Sequence, residues 1–203
     1  MKALFKVPSS LLKIKTQGQD ESLKAMTQKL IEAPELEVQK RLNTKEDLSL
    51  KKLRGKVIAI YAFQMLCPGC VEHSIPQARN VFASFNPDDL IVIGLHTVFE
   101  HHQAMTETAL KAFIHEYKIK FPVAIDTPSE KDYDPIPKTM RTYNMAGTPS
   151  LILIDRLGFL RKYKMGHEHD LKLGAELMAL MKEETPMAKI PEEIKETAQT
   201  CKI

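Results

Sequence analysis

Seven nearly all-apolar residues, Val57-Ile58-Ala59-Ile60-Tyr61-Ala62-Phe63, are followed within four positions by Cys67-Pro68-Gly69-Cys70. The length and β-branched content of the run predict a strand buried on both faces. Beyond it Val71, Ile75, Ala78, Phe82 and Phe85 recur at helical spacing, and Pro76 is expected to kink that helix. The first cysteine then sits at a helix N-terminus. There, unpaired backbone N–H groups and the positive end of the helix dipole favour a thiolate. Pro68 suits the first helical position, where its missing N–H is not needed. The second cysteine falls one turn inside, within reach of a mixed disulfide formed at the first.

Further strands are expected at Leu90–Leu95, Phe121–Ile125, Ser150–Asp155 and Phe159–Met165, the last two joined as a hairpin by Arg156-Leu157-Gly158. Helices are expected at Thr106–Lys118, with Thr106 as N-cap, at Lys138–Tyr143, and at Leu171–Lys182. Strands and helices that alternate and then close on a hairpin and a helix point to an α/β protein, a mixed sheet with helices on both faces. Ahead of this unit, Asp20–Ile31 has helical spacing that ends at Pro34, and residues 35–55 read as a polar, basic segment pinned to a core by Leu48, Leu50 and Leu53. The organisation expected is an N-terminal extension over 1–44, a domain over 45–184 and a tail over 185–203.

Composition narrows the function classes. The net charge of +3 comes from 29 Lys and Arg against 26 Asp and Glu, too small and too evenly spread for nucleic acid or an anionic membrane. Lys6 and Pro8, then Lys13 and Lys15, interrupt the N-terminal apolar residues, so no secretory apolar core is expected. A cytoplasmic location is the expectation. Three cysteines, Cys67, Cys70 and Cys201, are too few for a secreted disulfide framework. In a reducing compartment a Cys-x-x-Cys is redox-active or metal-binding. A structural zinc would need two more ligands. His73, His101, His102, His167 and His169 fall in no metal-ligand spacing, and Cys201 stands apart in the tail. No metal and no cofactor are expected.

Gly147-Thr148-Pro149 precedes the strand Ser150–Asp155, and a proline entering a strand after a small-residue turn is a candidate cis peptide. In a dithiol enzyme such a turn packs beside the cysteines and leaves a backbone edge for an extended substrate. The run Ala62-Phe63-Gln64-Met65-Leu66-Cys67-Pro68-Gly69-Cys70, this turn, and the hairpin Ile154-Asp155-Arg156-Leu157-Gly158 resemble the thioredoxin-like superfamily. The lead-in Leu48–Lys56 and the extra helix and strand between 104 and 125 resemble its redoxin group, the TlpA-like and AhpC/TSA-like proteins. The resemblance covers about residues 45–183. It implies a thioredoxin-like fold with a helix–strand insertion, Cys67 as nucleophile, Cys70 as resolving thiol, and Thr148 and cis Pro149 positioning the substrate. It implies a protein or small-molecule disulfide as substrate and an electron donor that the sequence does not identify.

The chain departs from that pattern at three places. Leu66 stands where the family has Trp. Tyr61 stands six residues before Cys67, where thioredoxins carry the buried carboxylate that takes the resolving thiol's proton; water, Glu72 or His73 are the candidates left. Pro68-Gly69 reverses the thioredoxin dipeptide. Peroxidases of the group carry a proline and a Thr or Ser ahead of the nucleophile, and those positions are Ile60 and Gln64 here. The leading expectation is a thiol–disulfide oxidoreductase working as a cytosolic reductant. A thiol peroxidase and a non-catalytic metal carrier using the same thiolates are the alternatives. Met65 is expected to line a substrate groove, while His101-His102, Arg141, Tyr143 and Cys201 admit plain structural or solvated roles.

Overall fold

Residues 30–183, except 46, 47 and 132, are described by a computed structural model. The strands are β1 (Ile31–Glu32), β2 (Val38–Leu42), β3 (Val57–Phe63), β4 (Leu90–His96), β5 (Val123–Asp126), β6 (Ser150–Ile154) and β7 (Phe159–Met165). They form one sheet in the order β1-β7-β6-β3-β4-β5-β2. β4 runs parallel to β3 and to β5, whereas β6 is antiparallel to β3 and β7, and β2 is antiparallel to β5. The sheet is mixed, as expected, and helices flank it.

β3 lies near the middle of the sheet, and all seven of its residues are buried. Its odd positions, Val57, Ala59, Tyr61 and Phe63, pack on one face. Covering that face are α1 (Ile75–Ser84), α2 (Glu107–Glu116) and α4 (Asp170–Lys182), through Ile75 and Ala78, Leu110 and Ile114, and Leu173 and Leu177. Its even positions, Ile58, Ile60 and Ala62, pack on the other face with α3 (Lys138–Thr142) and with Leu48, Leu50 and Leu53. An uninterrupted apolar strand is what two covered faces require. Gly94 of β4 has a packing reason: a Cβ there would stand 3.0 Å from Phe121 and 3.2 Å from Phe63.

Two local devices follow from the residue types. Thr106 caps α2 by accepting the Ala109 N–H at 3.2 Å, as its placement predicts. In the hairpin turn, Asp155 Oδ1 accepts the N–H groups of Leu157 (3.0 Å) and Phe159 (2.9 Å), and Gly158 takes φ +85°.

Two observations go beyond the expectations, and two expectations lie outside the described residues. β2 falls inside the segment read as an extension, so the sheet-forming unit begins well before residue 45. Val-Gln-Lys-Arg-Leu has a weak alternation, and only its antiparallel pairing with β5 makes it a strand. The helix expected over 20–31 lies outside the described residues save for its end, where Ile31 begins β1. The tail over 185–203, with Cys201, also lies outside them. Ahead of Pro76 the helix departs from α geometry. Cys70–Ser74 forms a π-helical turn in which the Ile75 N–H reaches the Cys70 carbonyl five residues back. Proline has no N–H for the α-helical partner four residues back and crowds that carbonyl, so the extra residue taken up just before it accommodates the ring.

Candidate active site

β3 ends at Phe63, and a short turn carries the chain to Cys67, whose N–H donates to the Gln64 carbonyl at 3.3 Å. The helical run begins at Pro68. The N–H groups of Cys70 and Val71 close on the Cys67 carbonyl at 3.0 and 3.1 Å, so Cys67 occupies the N-terminal cap position. The two thiols are free. Cys67 is half-buried, whereas Cys70 has no exposed surface. The Cys70 N–H also donates to Cys67 Sγ at 3.3 Å, a bond that a thiolate sulfur accepts well. Burial, and after it the neighbouring Cys67 thiol, pushes the Cys70 thiol up to about 12. One sulfur is therefore accessible at a helix start, and the other is held as a thiol behind it.

The turn before β6 completes the site. The Thr148–Pro149 peptide is cis. The Cys67 thiol donates to the Thr148 carbonyl at 3.5 Å, and a Cβ on Gly69 would sit 3.4 Å from Pro149 Cδ. Residues 81 positions apart are thus brought against one another by the antiparallel pairing of β3 with β6. The turn is held from behind. Ser150 Oγ donates to the Gly147 carbonyl at 2.7 Å, Tyr163 Oη accepts the Ala146 N–H at 2.9 Å, and the Gly166 N–H donates to the Pro149 carbonyl at 2.7 Å.

Other expected contributors are placed differently. Met65 is buried in the core, and Leu66 is the apolar side chain left exposed beside Cys67, at 57%. A strand-to-helix turn alternates inward and outward side chains, so the groove position moves by one residue. Glu72 and His73 point into solvent from the π-helical turn, and neither bonds to the Cys70 sulfur. His73 instead lies 5.2 Å, ring to ring, from His167. His101 and His102 are exposed. Arg141 pairs with Asp134 at 2.6 Å, and the Tyr143 hydroxyl donates to the Pro34 carbonyl, so both anchor structure. Among the described residues no three His, Cys, Asp or Glu side chains gather as a metal site.

Two further buried residues lie beside the site. Gln64 is 1% exposed; its Oε1 accepts the Phe99 N–H and its Nε2 donates to Glu100, both at 3.2 Å. It ties the loop after β4 to the turn that presents Cys67. Tyr61 is buried directly upstream in β3, and its hydroxyl has no partner among the described residues.

The AhpC/TSA family model matches residues 31–163. The crystal structure of a thioredoxin-like superfamily protein superposes with a TM-score of 0.74 at 55% identity, over 77% of this chain and 99% of that one. A thiol-disulfide isomerase from Corynebacterium glutamicum superposes with a TM-score of 0.71 at 50% identity, over 74% of this chain and 96% of that one. The thiol-disulfide oxidoreductase ResA of Bacillus cereus is 29% identical over 111 residues, 55% of this chain and 56% of that protein. The chain spans little more than half the length of such curated relatives. No helix among the described residues is long and apolar enough to cross a membrane.

Proposed function

Because the chain belongs to the AhpC/TSA family, and within it to the thioredoxin-like oxidoreductases, we propose that it reduces disulfides by exchange at Cys67 and Cys70. The observation that carries this reading is the asymmetry of the pair: an accessible sulfur at a helix start, and a wholly buried one a turn behind whose N–H donates to it at 3.3 Å. Cys67 attacks a substrate disulfide; one substrate thiolate leaves and a mixed disulfide forms. Cys70 loses its proton and attacks Cys67 Sγ; the second substrate thiolate leaves and the Cys67–Cys70 disulfide remains. Two electrons pass to the substrate. An electron donor restores the dithiol.

Thr148 and Pro149 position the substrate. The Thr148 carbonyl faces Cys67 Sγ, so an extended peptide reaching that sulfur runs along this turn. Leu66 offers it an apolar contact. A protein or small-molecule disulfide in the cytosol is the proposed substrate, in keeping with a chain of three cysteines. The peroxidase alternative finds less support. Gln64 stands where that chemistry has a hydroxyl, and its amide is engaged by Phe99 and Glu100.

A redox titration in glutathione and dithiothreitol buffers, read by alkylation and mass, tests the reading with Cys67→Ser as control. A reversible two-electron transition linking Cys67 and Cys70 is expected. No disulfide between them in any buffer would sink the proposal.

A further inference from the structure

The two sulfurs react with each other only if the turn that carries the first is held in register with the helix that carries the second. Between β3 and Cys67 that turn has one polar side chain, Gln64, and the fold buries it to 1%. Burying an amide costs free energy unless its bonds to water are replaced. Here they are replaced. Gln64 Oε1 accepts the Phe99 N–H, and Nε2 donates to Glu100 Oε1, both at 3.2 Å. A main-chain N–H beside a carboxylate calls for an acceptor and a donor on one head group. A primary amide carries them on two separate atoms.

The same residue holds the nucleophile through its main chain. The Gln64 carbonyl accepts the Cys67 N–H at 3.3 Å. Cys67 Sγ in turn accepts the Cys70 N–H at 3.3 Å, and its thiol meets the Thr148 carbonyl at 3.5 Å. Contacts of hydrogen-bond length therefore run from Glu100, an exposed side chain, through the buried amide and its backbone to the residue whose sulfur attacks. The loop end of this path is fixed as well. The Thr97 N–H donates to the Phe63 carbonyl at 3.2 Å, which carries the β3–β4 pairing one residue past the end of β4.

We propose that Gln64 is a positioning residue for ring closure: latched to Phe99 and Glu100, its side chain holds the turn in the register that keeps Cys67 Sγ on the Cys70 N–H, the arrangement from which Cys70 attacks. This rests on the dithiol reading above. In that step Cys70 Sγ, its proton given up to solvent, bonds to Cys67 Sγ. The bond from Cys67 Sγ to the substrate sulfur breaks, and that sulfur leaves with the electron pair. The Gln64 amide takes no part in these bonds; it acts by geometry, and Glu100 acts through it. Attack by Cys67 on a free disulfide asks mainly for access, because the substrate brings its own orientation. Closure asks for alignment of two groups fixed to the protein. The latch therefore bears on the second step and not on the first.

The test is a single-turnover reaction of dilute, reduced full-length protein with 5,5′-dithiobis(2-nitrobenzoate), in a Cys201→Ser background so that only the dithiol reports. The first nitrothiolate released reports attack by Cys67. The second reports closure by Cys70, and its rate is independent of protein concentration. Gln64→Met fills the same space without either hydrogen bond. It is expected to leave the first release within about twofold of the parent and to slow the second by about fivefold or more. Glu100→Ala removes the acceptor of Nε2 and is expected to slow the second release by about threefold. Glu100→Gln keeps an acceptor oxygen and is expected to match the parent, which separates the hydrogen bond from the charge. Adding Glu100→Ala to Gln64→Met is expected to cost nothing further, because the carboxylate acts through the amide. A second release in Gln64→Met as fast as in the parent would overturn the proposal, and so would a first release slowed as much as the second. A Glu100→Ala defect of the same size with and without Gln64→Met would overturn it too. If Gln64→Met fails to fold, Glu100→Ala at the surface decides alone, and an unchanged second release there sinks the latch. A parent that releases no second nitrothiolate would overturn the dithiol reading itself, and the latch with it.

Discussion

Buried polar groups on the two faces of the sheet are satisfied to different degrees. On the face covered by α3, Asp126 is 4% exposed, yet its carboxylate accepts Thr97 Oγ1 at 2.9 Å and the N–H groups of Thr139 (2.9 Å) and Met140 (3.0 Å). Those bonds cap α3 and clamp it to β5. On the dithiol face, the Tyr61 hydroxyl has no partner among the described residues, nor has Nε2 of His96, which packs on Phe63 at 5.3 Å. A satisfied buried group holds a fold together, and an unsatisfied one costs stability while remaining free for chemistry.

The largest effect separates the faces outright. Cys67→Ser is expected to abolish exchange, by roughly 10³-fold or more, with little change in melting temperature. Cys70→Ser is expected to arrest the reaction as a mixed disulfide on Cys67 that mass spectrometry reads directly. Asp126→Ala is the converse. It strands one hydroxyl and two N–H donors, at a cost of about 3 kcal/mol in a denaturant titration, while the folded fraction keeps its exchange rate. A loss of exchange per folded molecule in Asp126→Ala would erase the contrast.

Titration sharpens it next. The Cys70 pKa is raised in the fold, so the folded state binds this proton more tightly than the unfolded chain. Its stabilising contribution is whole below the unfolded value near 9 and is lost as pH climbs towards about 12. Reduced protein is expected to lose melting temperature over that window more steeply than the oxidised form, which has no Cys70 proton to lose. Parallel curves would count against it. His96 has the opposite sign. Burial lowers its pKa to about 4, so the stability it confers is whole above 6.5 and is lost as pH falls towards 4. A His96→Phe variant is expected to flatten that acid limb. The smallest effect belongs to neither core: Lys40→Ala removes an exposed pair with Glu107, 2.7 Å apart, which Lys111 also neutralises, and a denaturant titration is expected to show a midpoint next to that of the parent.

Much of this was legible in residue order. β3 announces itself because a strand covered on both faces has no polar side to show, and the helix after it because its apolar residues keep one face. The dithiol is legible because Cys-x-x-Cys places both sulfurs within one helical turn whatever surrounds it. β2 was not legible: its alternation is faint, and the hydrogen bonds that make it a strand belong to β5, 81 to 88 residues further along, where Val38 pairs with Asp126 and Leu42 with Val123. The exposed position beside Cys67 fell to Leu66 and not to Met65 because a turn's facing is set by what packs beneath it.

What the sequence by itself determined is the strand, the helix and the two sulfurs at their junction, since backbone geometry and local periodicity are properties of neighbours in the chain. Only the tertiary structure decided which sulfur is sealed from solvent, that the Thr148 carbonyl faces Cys67, and that Gln77 bonds to Asp170 at the start of α4. Those contacts join residues 81 and 93 positions apart, and they exist only once the strands have paired and the helices have closed over them.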